Sequence, residues 1–278
     1  MFAGFPTDRL FLIAGPCVLE DDALNLRVGE MLAKLAPIVP GGIIFKASFD
    51  KANRSNFGAA RGPGLDEGLA KLARVREATG LPLLTDVHLP EQCAHVAATV
   101  DVLQIPAFLC RQTDLLMAAG ATGRAVNIKK GQWMHPEGMV GAVRKVDGSR
   151  PPSEHGAAMA PRVAPTATTE RGSFFGYGDL VVDMRSFARM GSATYTPIVF
   201  DGTHSVQQPG KGEGGASGGQ REFIPALTLA AVAAGASGLF LETHPDPDHA
   251  PSDGPNMIPL GELERLLRRA VAVWEARR

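Results

Sequence analysis

Lys46 ends a short apolar run from Gly42 to Phe45, and Lys51, Arg54 and Arg61 follow it with only Asp50 opposing them. The turn residues Gly62-Pro63-Gly64 close the stretch and launch an amphipathic segment. Cations just past the end of a buried strand are costly unless an anion meets them, so the stretch reads as a phosphate-reading loop. Lys129 likewise ends the run Val126 to Ile128, and Arg171 follows a weaker apolar stretch. Brought to one mouth, Lys46, Lys51, Arg54, Lys129 and Arg171 would repel one another. One phosphate satisfies two or three such groups, so five imply a second anion, either another phosphate or a carboxylate. Lys51 alone reads equally well as a solvated side chain. Lys46 and Lys129, in or at the end of apolar strands, favour function.

A second set is Cys17, His204, Glu242 and Asp253. A thiolate, an imidazole and two carboxylates suit one divalent transition metal. They lie far apart in the chain, and His244 and His249 compete with them. From spacing alone the plainer reading prevails: Cys17 a small buried residue, His204 a satisfied polar group, Asp253 a turn former.

Short apolar runs alternating with amphipathic segments must position these groups. Strands are expected at Leu10 to Ala14, Ile43 to Phe45, Leu83 to Val87, Val102 to Ile105, Val126 to Ile128, Pro197 to Phe200 and Leu239 to Leu241. A poor one is expected over Val163 to Thr169, interrupted by Pro165. Leu24, Val28, Met31, Leu32 and Leu35 share a helical face, as do Leu65, Leu69, Leu72 and Val75, and Leu260, Leu263, Leu267, Val271 and Trp274. Helices are also expected over Pro90 to Thr99, Arg111 to Ala119, Glu137 to Val146, Leu180 to Phe187 and Phe223 to Ala234. The last is so apolar that packing on several sides is expected. About eight strand–helix units with short connections predict an α/β fold, a (β/α)8 TIM barrel forming one domain over residues 1–278. No Gly-x-Gly-x-x-Gly opens a helix after the first strand, which weakens a Rossmann reading. In a parallel barrel Cys17, Lys46, Asp86, Gln104, Lys129, Arg171, His204 and Glu242 all fall on one rim.

The totals set bounds. The 278 residues are 45% hydrophobic and 21% charged, with net charge −1, which argues against a nucleic-acid surface or a polybasic membrane patch. Three cysteines without framework spacing fit a reducing cytoplasm. Neither a signal-type N-terminus nor a membrane-length apolar run is seen. Asp147 to Pro165 is expected to be an irregular excursion, and the glycine-rich Ser205 to Gly219 a mobile lid.

Ile13-Ala14-Gly15-Pro16-Cys17, Lys46-Ala47-Ser48-Phe49-Asp50-Lys51-Ala52-Asn53-Arg54-Ser55, Thr85-Asp86-Val87-His88, Gln104-Ile105-Pro106-Ala107-Phe108 and Asn127-Ile128-Lys129-Lys130-Gly131-Gln132 resemble 3-deoxy-D-manno-octulosonate 8-phosphate synthases. So do Asp201-Gly202-Thr203-His204-Ser205-Val206-Gln207, Glu242-Thr243-His244-Pro245 and Asp253-Gly254-Pro255. The resemblance implies a (β/α)8 barrel, usually a homotetramer. It implies condensation of phosphoenolpyruvate with arabinose 5-phosphate, with release of phosphate, for the lipopolysaccharide inner core. Cys17 resembles the metal-dependent branch, whose other branch has Asn there. The implied ligands of one divalent metal of the Zn, Fe or Mn class are Cys17, His204, Glu242 and Asp253. The same matching implies Lys51, Lys129, Arg171, His204 and Gln207 around phosphoenolpyruvate, with Gln104 nearby and Lys46 between its carboxylate and the aldehyde. It implies Asn53, Arg54 and Ser55 on the sugar phosphate and Asp86 on its hydroxyls. Lys46, His204 and Asp253 are the implied catalytic groups. Asp147 to Thr169 departs from the compact family segment before Arg171. The rivals are the related synthase using erythrose 4-phosphate, a Schiff-base aldolase acting through Lys46, and a non-catalytic phosphosugar sensor with no need of the metal set.

Overall fold

The structure, a computed structural model, describes residues 2–53, 58, 60–151, 163–174, 178–211 and 218–278. Eight parallel strands form a closed barrel: β1 (Phe11–Gly15), β2 (Ile43–Lys46), β3 (Leu83–Asp86), β4 (Val102–Ile105), β5 (Ala125–Lys129), β6 (Thr166–Glu170), β7 (Ile198–Asp201) and β8 (Gly238–His244). Each pairs with its neighbours in sequence, and β8 closes the ring by pairing with both β7 and β1. The covering helices are α1 (Asp22–Leu35), α2 (Leu65–Thr79), α3 (Pro90–Thr99), α4 (Thr113–Ala121), α5 (Val140–Asp147), α6 (Ser186–Thr194), α7 (Ile224–Ala233) and α8 (Leu260–Ala276). Asp21 caps α1 by accepting the Leu24 N–H at 2.8 Å, and Gly80 ends α2 in the left-handed region.

Alternate strand residues face opposite sides of the wall. Outward-facing side chains such as Phe45, Leu103, Ile128 and Phe200 pack against the helices. Each such side chain stabilises the fold by about 1.5–3 kcal/mol. The inward set is separate and smaller: Phe11, Ile13, Ile44, Leu84, Val102, Ala125, Ala167, Val199 and Phe240, stoppered from below by Phe5. Two residues further along each of seven strands, the inward position turns polar. Ile44 is followed by Lys46, Leu84 by Asp86, Val102 by Gln104, Ala125 by Asn127, Ala167 by Thr169, Val199 by Asp201 and Phe240 by Glu242. The apolar layer fixes the barrel, and the polar layer stands at its C-terminal mouth.

Three expectations change. Leu180 to Phe187 is not a helix: Leu180–Val181 pairs antiparallel with Ser173–Phe174. The helix begins at Ser186, where Asp183 O accepts the Ser186 N–H. Leu180 and the β-branched Val181 take the extended form. Pro165 divides the poor sixth strand. Val163–Ala164 pairs antiparallel with Phe5–Pro6, while Thr166–Glu170 is a fully buried barrel strand. On α7, Ile224, Thr228, Ala231 and Val232 are buried, but Ala226, Ala230 and Ala233 are exposed, so within this chain it is packed along one stripe. The middle of the Asp147 to Pro165 excursion (152–162) and the central part of the glycine-rich lid (212–217) lie outside the described residues. The base of the latter pairs Gln207–Gln208 with Gly218–Gly219.

Candidate active site

The loop after β1 is stitched to the end of β2. A Cβ on Gly15 would collide with the Lys46 carbonyl oxygen, so only glycine lets the chain pass this close. Cys17 O then accepts both the Ser48 N–H at 3.3 Å and the Lys46 ammonium at 2.8 Å. Lys46 crosses the mouth to Glu242 Oε1 on β8 at 2.5 Å, and both side chains are buried. Burial alone would raise the Glu242 carboxyl. The facing ammonium groups, Lys46 ahead of Lys51, outweigh it and hold the group below the usual carboxylate range.

The Cys17 thiol donates to Asp253 Oδ2 at 3.1 Å. Cys17 Sγ, a Glu242 oxygen and an Asp253 oxygen all lie within 4.8 Å of one another, a group able to hold a metal ion. Glu242 Oε2 is buried without a hydrogen-bond partner among the described residues, the state of an acceptor awaiting a cation. Asp253 takes a left-handed conformation, φ 54°, rare for a residue with a Cβ. Burial, with the Glu242 charge next, pushes the Cys17 thiol well above its ordinary range, so a thiolate there requires a cation to hold it. His204 stands just outside this tight group, its Nε2 3.9 Å from Glu242 Oε2. Its Nδ1 is 2.9 Å from Asp201 Oδ2. That bond places the ring proton on Nδ1 and leaves the Nε2 lone pair for a metal. Of the competing histidines, His244 Nε2 is 3.1 Å from Glu20 Oε1, and exposed His249 is 2.7 Å from Asp246; neither joins the group.

The anion-binding candidates face the same mouth. Lys129 Nζ lies 2.7 Å from Asp201 Oδ2 and 3.5 Å above the centroid of the Phe240 ring. Arg171 donates through Nη2 to Gln207 Oε1 at 2.7 Å, and Gln207 Nε2 donates to Asp253 Oδ1 at 2.7 Å. Arg171, Gln207 and the metal group are therefore one connected set. Arg171 thus stands at this mouth, after the segment that departs from the family pattern. Across the floor, Thr169 donates to Asn127 Oδ1 at 2.7 Å and Asn127 to Gln104 Oε1 at 2.9 Å. Gln104 Nε2 donates to Asp86 Oδ1, and Ser48 donates to the other Asp86 oxygen. Lys51 Nζ meets Ser48 Oγ at 2.9 Å. Against its burial, Lys46 and Lys51 draw the Asp86 carboxyl below the usual range.

The model of the DAHP synthetase I family matches residues 5–277. The chain belongs to that family. It is 55% identical over 263 residues to a 2-dehydro-3-deoxyphosphooctonate aldolase of Bradyrhizobium sp. strain BTAi1, covering 95% of this chain and 87% of the relative. It is 54% identical over 269 residues to the protein of that name from Nitrobacter hamburgensis, covering 96% and 89%. A Rhodopseudomonas palustris protein of the same name is 55% identical over 259 residues, covering 93% and 86%. The resemblance read from the motifs is thereby borne out.

Of the residues expected from that resemblance, Cys17, Lys46, Lys51, Asp86, Gln104, Lys129, Arg171, His204, Gln207, Glu242 and Asp253 gather at one barrel mouth. Asn53 is exposed on the turn beyond Lys51. Arg54 and Ser55 lie outside the described residues. Sequence reasoning passed over Asp201, which holds both Lys129 and His204. Its signal was an acid three residues before a histidine at a strand end. It also passed over Ser48, Asn127 and Thr169, whose only signal is their inward strand phase. Lys46, the lysine of the Schiff-base reading, is held between Cys17 O and Glu242 Oε1.

Proposed function

We propose that this chain is a transferase condensing phosphoenolpyruvate, D-arabinose 5-phosphate and water to 3-deoxy-D-manno-octulosonate 8-phosphate and inorganic phosphate. The reading takes residues 1–278 as one catalytic barrel. It makes the protein a cytoplasmic homotetramer serving lipopolysaccharide inner-core synthesis, with one divalent transition metal of the Zn, Fe or Mn class. The supporting observation is the convergence of Lys46, Lys129 and Arg171 beside Cys17, Glu242 and Asp253 at one barrel mouth. The name carried by relatives about half identical to this chain supports the choice of substrates. No helix among the described residues is long and apolar enough to cross a membrane.

The reaction joins C3 of phosphoenolpyruvate to the aldehyde carbon of the sugar. Water adds to C2, and the phosphohemiketal loses phosphate by C–O cleavage. Two phosphates and a carboxylate must share the mouth, so charge neutralisation comes first. Lys129, Arg171 and Lys51 face phosphoenolpyruvate in this reading. Arg171 uses only Nη2 within the protein among the described residues, leaving its Nε and Nη1 donors for an anion. Lys46 gives two of its three protons to Cys17 O and Glu242; the third serves the aldehyde oxygen as negative charge develops there. Asp86, already an acceptor for Ser48 and Gln104, is oriented toward sugar hydroxyls, with Asn53, Arg54 and Ser55 on the sugar phosphate. Carboxylates Asp253 and Glu242 face the positive charge developing at C2. Cys17, Glu242 and Asp253, with His204 Nε2, would hold the metal, whose Lewis acidity polarises a carbonyl or acidifies a water when it is bound.

The test is phosphate release from phosphoenolpyruvate with arabinose 5-phosphate or erythrose 4-phosphate, in metal-free buffer with single metals restored. Turnover with the pentose phosphate, dependent on a restored metal, is expected. Preference for erythrose 4-phosphate, or no release with either sugar, overturns the reading.

A further inference from the structure

A further buried charge pair, Lys130 with Glu170, lies behind the mouth, on the outer face of the wall between β5 and β6. Lys130 follows Lys129, and Glu170 precedes Arg171. A single residue step carries each from the inner face to the outer. The Lys130 and Glu170 side chains are 0% and 1% exposed. Lys130 Nζ stands among the carbonyl oxygens of Gly131, Met134 and Gly172, at 3.3 Å each. Ser173 Oγ lies at 3.2 Å and Glu170 Oε1 at 3.5 Å. Three N–H groups cannot serve all these oxygens at full strength, so the ammonium acts as a centre of charge that several dipoles share. Glu170 Oε1 also accepts the Gly172 N–H at 2.7 Å, where the chain turns with φ 86°.

The oxygens belong to the two loops that leave β5 and β6. The barrel register between these strands ends at Lys129 opposite Thr169. Beyond it, the backbone bonds between the two segments are Lys130 N–H to Thr169 O at 2.8 Å and Phe174 N–H to Gln132 O at 2.9 Å, among the described residues. Arg171 sits between Glu170 and Gly172, both held to Lys130, and Lys129 is Lys130's own neighbour. Nothing in the proposed chemistry touches Lys130, yet burying an ammonium is costly, and burial pushes its pKa down despite Glu170.

We propose that Lys130 is a positioning residue, a tethered internal cation that gathers the loops after β5 and β6 and sets the spacing of Lys129 and Arg171 as a grip for phosphoenolpyruvate. The proposal rests on the function given above and names what sets one half of that site.

The test compares the parent with Lys130→Met, Lys130→Ala and Glu170→Gln. Calorimetric dissociation constants for phosphoenolpyruvate, KM for the sugar phosphate and unfolding temperatures are measured. Glu170→Gln keeps an oxygen for the Gly172 N–H and removes the charge. Lys130→Met is expected to weaken phosphoenolpyruvate binding between about tenfold and about a hundredfold, with sugar-phosphate KM within about twofold. Glu170→Gln shifts binding in the same direction by less. Methylammonium restores phosphoenolpyruvate binding to Lys130→Ala, and tetramethylammonium, which has no N–H, does not. A merely stabilising lysine would move both substrate constants together, in step with the unfolding temperature; that result overturns the proposal. So does unchanged phosphoenolpyruvate binding in folded Lys130→Ala and Glu170→Gln, even should Lys130→Met fail to fold. A parent that binds phosphoenolpyruvate but gives no turnover with arabinose 5-phosphate would sink the reaction assignment alone, because the dissociation constants still read Lys130.

Discussion

Lys46→Met nearly preserves side-chain length and removes one charge from a pair whose side chains are 1% and 0% exposed. Glu242 Oε1 then loses its ammonium. Oε2 has no hydrogen-bond partner among the described residues, only His204 Nε2 at 3.9 Å. The Cys17 carbonyl is not orphaned, because it keeps the Ser48 N–H. The loss is therefore chiefly an uncompensated buried carboxylate, which costs about 3–5 kcal/mol. Unfolding entropy of about 2.1 cal/mol/K per residue gives about 0.6 kcal/mol/K for 278 residues, and so a fall in Tm of about 5–9 °C. The assay is urea and thermal unfolding of Lys46→Met, Glu242→Gln and the double variant in chelated buffer, so that no metal replaces the ammonium. The double variant carries no buried charge at either position. It should regain most of the deficit, with a coupling energy of about 3 kcal/mol. If Lys46→Met lies within about 1 kcal/mol of the parent, or the double variant loses the sum of the two single losses, the pair does not hold the mouth together as argued.

Cys17→Asn removes the thiolate. Metal affinity by competition with a chromophoric chelator should fall, and any remaining activity should become less chelator-sensitive; activity that stays fully chelator-sensitive would remove Cys17 from the ligand set. Asp201→Asn deprives Lys129 and His204 Nδ1 of their shared carboxylate, and turnover should drop by about 10–100-fold at unchanged sugar-phosphate KM; activity within about twofold of the parent would leave Asp201 without this role. The Asp86 carboxyl is held below its ordinary value by Lys46 and Lys51 against burial. Its stabilising contribution is thus complete above the unfolded-state carboxylate pKa and lost as pH falls through the lower folded-state value. Unfolding free energy measured from pH 6 downward, at about one-unit steps, should fall less steeply in Asp86→Asn; an identical slope in the two proteins contradicts that origin.

The barrel was legible because its inward positions repeat with period two and change character at one level. Ile44 before Lys46 and Leu84 before Asp86 can be read without coordinates, and so can the rim they define. The short run Leu180 to Phe187 fits helix and strand alike, and its tertiary pairing with Ser173–Phe174 decided the outcome. Partnerships across the mouth are a different matter. Asp201 on β7 reaches Lys129 on β5 past the intervening β6, a contact created by closure of the ring, and no spacing along the chain encodes it. Lys129 and Lys130 are adjacent and identical in type. Strand phase sends one to the mouth and the other into a cage of carbonyls, and a one-residue error in phase would exchange their roles.

The sequence reading of a bare cation cluster requiring anions needs revision on the same ground, and the revision bears on the metal. Lys46, Lys51, Lys129 and Arg171 meet Asp86, Asp201, Glu242 and Asp253 in the same space. Among the described residues these four cations and four carboxylates balance before any substrate arrives, so they are assembled without the repulsion that four unopposed cations would cause. A balanced mouth is also a poorer trap for two phosphates, each carrying about −1.5 to −2 charges, and a carboxylate. A divalent cation on Cys17, Glu242 and Asp253 changes that balance. With the Cys17 thiol deprotonated to hold it, such an ion would add one net positive charge and would free the ammonium that Glu242 now holds to turn toward a substrate. On this argument a metal at these ligands contributes to binding as well as to chemistry. Phosphoenolpyruvate affinity should then rise with metal occupancy even when no sugar phosphate is present.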